Sequence, residues 1–157
     1  MPADINVVCD YIIRRSNAAN MPLNVLKLQK LLYYSQAWSL AFNEGPLFDG
    51  KFQAWIHGPV NRAIYDRFSE TKSLYSSVLD ADAGNLNPMN RLTEQQRARI
   101  ESVLEVYGKF SGSELEAMTH KEDPWIRARN GLADLDRCET EIDEDSMRLY
   151  YSARLKK

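Results

Sequence analysis

The sequence predicts a mainly α protein, a single compact helical domain of 157 residues around a buried central helix, with one small β-hairpin. Three observations carry this expectation. Residues 24–42, NVLKLQKLLYYSQAWSLAF, are apolar nearly all round on a 3.6-residue period: Leu28, Leu31 and Leu32 cover one side, and Leu26, Tyr33, Ala37 and Leu40 the other. A helix that is apolar on every side is buried on every side. Around it lie shorter stretches with helical apolar spacing, opened by capping residues and closed by Gly, Asn or Pro. The strong hairpin signal is Asp49-Gly50, set between apolar and aromatic residues.

In chain order, residues 3–17 read as an amphipathic helix, with Ile5, Val8, Cys9, Ile12 and Ile13 at i, i+3, i+4, i+7 and i+8. Met21-Pro22 breaks it, because the residue before proline avoids the helical region. Asn24 caps the central helix, which stops near Asn43-Glu44-Gly45-Pro46. The hairpin is expected over residues 47–56 with Asp49-Gly50 as its turn. His57-Gly58-Pro59 then makes a second turn, and Pro59 opens a helix over residues 60–68 with Ile64, Tyr65 and Phe68 inward. Ser, Asp, Asn, Gly and Pro cluster over residues 76–90, a long loop or poorly ordered insert.

Thr93 with Gln96 forms a capping box for a helix that runs through Ile100, Val103, Leu104 and Tyr107 to Gly108. Ser113 with Glu116 reads as a second box. Asp123-Pro124-Trp125 has the grammar of a helix start, with Asp123 as the cap and Pro124 at the first helical position. Asn130-Gly131 ends that helix. An extended piece over residues 140–142 leads to Asp143, a cap for the last helix. Met147, Tyr150, Tyr151 and Leu155 would pack that helix down, and Arg154, Lys156 and Lys157 suit its C-terminal dipole.

Composition narrows the function classes. The formal net charge is −2, from 20 Lys+Arg against 22 Asp+Glu, without the basic excess of a nucleic-acid binder. Two cysteines, Cys9 and Cys138, give neither a disulfide framework nor a CxxC pair. Charged residues interrupt every apolar run, so a membrane span and a signal peptide are not expected, and the expected setting is cytoplasmic. Phosphate-binding glycine loops of the GxxxxGKS or GxGxxG kind are absent from the sequence.

The candidate functional residues start on the central helix. Lys27, Lys30 and Tyr34 lie on one line at i, i+3 and i+7, with Trp38 beside them, and Gln29 and Gln36 share another edge. The plain explanation is a wet core rim with packed stems. The functional one is a contact line along a mostly buried helix. On that reading Trp55, His57 and Gly58, in the turn that follows, complete the contact surface with an aromatic anchor and a close backbone approach. His120 with Asp123 is the pairing that acid–base catalysis needs, although Asp123 is accounted for as a cap. His57 and His120 lack the partner spacing of a zinc site, so no metal and no cofactor is expected.

Taken together, the motifs resemble a known family. Lys27-Leu28-Gln29-Lys30-Leu31-Leu32-Tyr33-Tyr34 with Gln36 and Trp38 is similar to its central-helix signature. Pro46-Leu47-Phe48-Asp49, Ala54-Trp55 and Gly58-Pro59-Val60 are similar to its second signature. Leu115, Thr119-His120 and Asp123-Pro124-Trp125 are similar to its third. Ser35, Ser39 and Met118 depart from the pattern mildly. These motifs resemble the Panacea domain of SocA-like antitoxins, also described as phage-associated proteins, across residues 1–157 with a variable loop at about 73–92. The resemblance implies a bacterial or prophage antitoxin that neutralises a cognate protein toxin by direct binding, with toxins differing between members. One branch of the family acts as a proteolytic adaptor that delivers its toxin to a AAA+ protease, which makes adaptor action the alternative. A small hydrolase using His120 and Asp123 is a further alternative. No enzymatic activity, nucleic-acid partner or membrane partner is implied, and Gln29, Trp38, Pro59, His120, Asp123, Pro124 and Trp125 serve the fold as motif residues.

Overall fold

The computed structural model describes residues 1–85 and 87–156. Leu86 of the expected loop and Lys157 of the expected basic C-terminus lie outside them. Helix α1 (Ile5–Ala18) begins where the Asp4 carboxylate accepts the Asn6 amide. Helix α2 (Val25–Ala41) begins where the Asn24 side chain accepts the Lys27 amide, and every residue of it except Trp38 is buried. Helix α1 packs along α2, and the later helices and the hairpin close round the remaining sides. The central-helix expectation therefore holds.

The hairpin lies one turn further along the chain than Asp49-Gly50 suggested. Strands β1 (Gln53–Trp55) and β2 (Gly58–Val60) pair antiparallel, with Trp55 opposite Gly58. Ile56 and His57 make the two-residue turn, and Gly58 closes it at φ +90°. The reason is a competing interaction. The amides of Leu47 and Phe48 donate to Gln36 Oε1 at 2.7 and 3.3 Å, so this segment is clamped to α2 instead of pairing across a turn. The extended piece near residue 141 adds a third edge: Ala54 N donates to Thr140 O at 2.8 Å and Ile142 N to Phe52 O at 2.7 Å.

Pro59 does not open a helix. Helix α3 (Arg62–Phe68) starts two residues beyond β2, where the Asn61 side chain accepts the Ile64 amide. The segment read as a loose insert is docked. Leu26 N donates to Leu74 O, Val25 N to Ser76 O and Val78 N to Leu23 O, and Val78 is buried. A short helix α4 (Pro88–Arg91) precedes α5 (Glu94–Tyr107), which carries the expected Thr93–Gln96 box.

Helix α6 (Gly112–Thr119) opens with Ser111 and Glu114, two residues before the expected box. Both Ser-x-x-Glu pairs satisfy the pattern, and the earlier one follows directly on the Lys109-Phe110 turn. Helix α7 (Asp123–Arg129) is capped by Glu122, not Asp123, and Glu122 makes no side-chain cap bond. Its carboxylate turns inward, as described below, which leaves Asp123 and Pro124 in the first turn. Asn130, left-handed at φ 50°, ends α7. Helix α8 (Glu144–Ser152) is capped by Asp143 as expected, and Met147 and Tyr151 seal it to the core. Leu155 stays exposed.

Candidate functional site

Most polar side chains of α2 are buried and hold a neighbouring segment, while Ser35 bonds back to Leu31 O of its own helix. Gln29 donates to Asn61 O at 3.1 Å and accepts from Asn61 N at 2.8 Å. Gln36 donates to Phe48 O at 2.9 Å while accepting the Leu47 amide. Both amides thus bind main chain on both sides, which fixes where β2 ends and where residues 47–48 run. Trp38 donates to the Tyr107 hydroxyl at 2.8 Å and ties α5 to the same helix.

The expected contact line of Lys27, Lys30 and Tyr34 is not open to solvent. Lys27 Nζ donates to Gly108 O at 2.6 Å and Pro22 O at 3.2 Å. Tyr34 stacks on Tyr107, with ring centroids 4.0 Å apart, and donates to Glu122 Oε1 at 2.9 Å. Lys30 is fully buried, with Nζ 3.0 Å from Pro59 O. Main-chain carbonyls and one carboxylate take up these polar ends inside the fold, where sequence spacing suggested that water would.

Lys30 is the centre of a polar seam between α2, β2 and α6. A Cβ on Gly58 would meet Lys30 Cε at 2.6 Å and Thr119 Oγ1 at 2.7 Å, so only glycine fits where the hairpin crosses the lysine. Pro59 supplies the carbonyl, and its ring occupies a strand position whose amide is not needed for pairing. Glu116 and His120 lie four apart at the C-terminal half of α6. His57 Nδ1 is 3.5 Å from Glu116 Oε1, an ion-pair separation without a hydrogen bond. His120 Nε2 is also buried without a hydrogen-bond partner among the described residues. Burial pushes the Lys30 amine down to about 7, against the upward pull of the Glu116 carboxylate. Burial likewise lowers His120, again opposed by Glu116.

The third signature braces the hairpin from outside. The Trp125 indole donates to Trp55 O at 2.8 Å, and His120 stacks on Trp125 with centroids 4.1 Å apart. Pro124 is buried in the first turn of α7. Asp123 is exposed on that turn and makes no hydrogen bond with His120, so no base-and-orienter pair forms. The structure therefore brings Lys30, His57, Gly58, Pro59, His120 and Trp125 together around the hairpin. It sets Lys27, Tyr34 and Trp38 further along α2, and leaves Asp123 outside the seam. No group of three or more His, Cys, Asp or Glu side chains among the described residues is placed to hold a metal ion.

Sequence reading missed three residues of this region. Glu122 accepts from Tyr34 and, at 2.6 Å, from the Tyr151 hydroxyl. Arg129 is buried against the Trp125 ring at 4.7 Å and donates to Ala54 O at 2.9 Å. Glu116 was read only as a capping residue, though its i, i+4 spacing to His120 was a usable signal. Glu122 and Arg129 offered none, since isolated charges beside a helix start and end read as solvated ones.

The family described as "Antitoxin SocA-like, Panacea domain" matches residues 28–126. Antitoxin SocA of Caulobacter vibrioides is 31% identical over 134 residues, which cover 82% of this chain and 71% of that protein. No solved structure is significantly similar. The matched stretch holds all three signatures and the whole Lys30 seam, apart from Lys27 at its near edge and the Arg129 brace at its far one.

Proposed function

This chain belongs to the SocA-like, Panacea-domain antitoxin family, and on that premise we propose that it neutralises a protein toxin by direct, stoichiometric binding. One observation carries the reading. Gln29, Lys30 and Gln36 of the family signatures are engaged with main-chain atoms inside the fold, and what they help hold rigid is a surface hairpin turn with a half-buried aromatic, Trp55, and a half-exposed imidazole, His57. Such a turn is a preorganised contact, and preorganisation lowers the ordering entropy that association must overcome. The buried residues Lys27, Lys30 and Tyr34 act behind this surface and not on it. The seam also has the ingredients of acid–base chemistry, but Lys30 and Thr119 are fully buried, and a substrate would reach them only if the hairpin lifted.

Among the described residues no helix is long and apolar enough to cross a membrane. Titration of the purified chain against a fixed amount of the protein encoded beside it tests the proposal. Protection that saturates near equimolar ratio is the expected result. Full protection at about one tenth of the toxin concentration, with no protease present, overturns stoichiometric binding in favour of turnover. Protection that appears only when a AAA+ protease and ATP are supplied assigns the adaptor mechanism instead.

A further inference from the structure

The segment between α7 and the third sheet edge combines two features that ordinarily exclude each other. Every residue from 130 to 137 is exposed, so the segment buries almost nothing of its own. Its backbone is nevertheless held by a side chain that is itself 2% exposed. Arg129 Nη2 donates to Ala133 O at 2.7 Å, to Asp134 O at 3.4 Å and to Asp136 O, while Nη1 donates to Ala54 O in β1. A tight turn lies inside this clamp. Asp136 N donates to Ala133 O at 3.0 Å, and Ala133 N donates back to the Asp136 carboxylate at 3.1 Å.

The two central positions of that turn are Asp134 and Leu135. Asp is a usual turn residue, whereas a large aliphatic side chain at a turn tip gains nothing for the fold. Leu135 is 85% exposed, and Leu132, three residues earlier, is 45% exposed. A burial-driven explanation of the leucines fails, and so does one that treats the loop as slack chain, since a buried arginine fixes it.

We propose that this turn is a preformed docking knob that inserts Leu135 into an apolar pocket of the partner protein, with Asp134 and Asp136 facing basic side chains at the pocket rim. The proposal rests on the binding reading above and gives it a partner chemistry. Arg137 is already paired with Glu139 at 2.9 Å, so the charge next to the leucine tip is the two aspartates. An anionic flank disfavours nucleic acid and anionic lipid and fits a cationic protein rim. The Arg129 bond to Ala54 makes the knob continuous with the hairpin face.

The test compares the wild-type chain with Leu135→Ser and Asp134→Lys for binding to the protein encoded beside it, by calorimetry for affinity and stopped-flow for association rate, each at two salt concentrations, with thermal melts of each variant. Neither side chain touches the core, so melting temperatures are expected to stay at the wild-type value. Leucine is a weaker anchor than Trp or Tyr, so Leu135→Ser is expected to weaken binding by about tenfold or more. Asp134→Lys is expected to slow association and to flatten the salt dependence. Wild-type affinity and association rate in both folded variants overturn the knob and leave direct binding standing. Absence of binding by the wild type overturns direct binding and the knob with it. Leu135-dependent binding to phosphatidylcholine vesicles in place of the protein also overturns the proposal.

Discussion

Replacing Lys30 with Met tests whether this buried lysine costs the fold what its surroundings imply. The amine titrates at about 7 in the folded chain against 10.5 when unfolded. That gap of 3.5 units corresponds to about 5 kcal/mol of destabilisation while the ammonium is present. Below pH 7 both states hold the proton and the full cost applies. Between pH 7 and 10.5 the unfolded chain keeps a proton that the folded chain has released, so the wild type gains stability as pH rises. From pH 6 to pH 9 the cost falls by roughly 2–3 kcal/mol. Methionine fills nearly the same volume and removes the desolvation cost, but leaves Pro59 O without its donor, which costs about 1–3 kcal/mol. Lys30→Met is therefore expected to be more stable than wild type by about 2–4 kcal/mol at pH 6, as when a buried charge is replaced by a well-packed apolar side chain. At about 2–4 °C per kcal/mol for a chain of this size, the advantage is near 5–15 °C at pH 6 and shrinks by about 5–10 °C at pH 9. Thermal melts of both proteins from pH 6 to 9 measure it, and the difference between them cancels the titration of every group that does not interact with Lys30, His120 and Glu116 being the two that do. A gap that does not change with pH, or a variant that melts below wild type at pH 6, refutes the argument.

Two further substitutions separate charge from packing at the third signature. Glu122→Leu strands the Tyr34 hydroxyl in the core and leaves that of Tyr151 only the Tyr33 hydroxyl, 3.1 Å away, and is expected to cost about 1–3 kcal/mol in urea unfolding, while Glu122→Gln keeps an acceptor and is expected to cost less than half as much; equal losses would mean that the tyrosines do not depend on this bond. Asp123→Asn changes only an exposed first-turn charge, so a loss below about 0.5 kcal/mol and unchanged toxin binding are expected, and a folded Asp123→Asn protein without activity would restore an acid–base role beside His120.

The parts of this fold that are local in sequence were legible, and those decided by competition between distant groups were not. The all-round apolar character of α2 needed only its own residues to be read, and so did the Thr93 and Asp143 starts. Asp49-Gly50 is a sound hairpin signal in isolation. It lost to Gln36, whose amide takes the Leu47 and Phe48 main chain from the other side of the segment. Asp123-Pro124 looked like a cap and first turn for the same local reason, and the helix starts one residue earlier because Glu122 is drawn into the core by Tyr34 and Tyr151. The seam was half visible. Motif resemblance singled out Lys30, Gly58, Pro59 and His120, and their spacing wrongly placed the lysine in water. What buries it is the hairpin that crosses above, a contact between residues about thirty positions apart that no periodicity encodes.

The manner in which α2 holds its surroundings bears on what such a scaffold permits. Gln29, Lys30 and Gln36 bind main-chain atoms of residues 61, 59 and 47–48, and Arg129 binds those of residues 54, 133, 134 and 136. A side chain that grips main chain fixes geometry whatever side chain stands at the gripped position. Leu135 and other outward positions of the 130–137 loop whose side chains make no bond of their own are consequently released from duty to the fold, and an exposed Leu135 can change identity without moving the backbone that presents it. A core of this construction keeps its shape while its contact residues vary. On the binding function proposed above, such a core would let contact residues on the hairpin turn and the 130–137 loop differ while the helix that grips them stays the same.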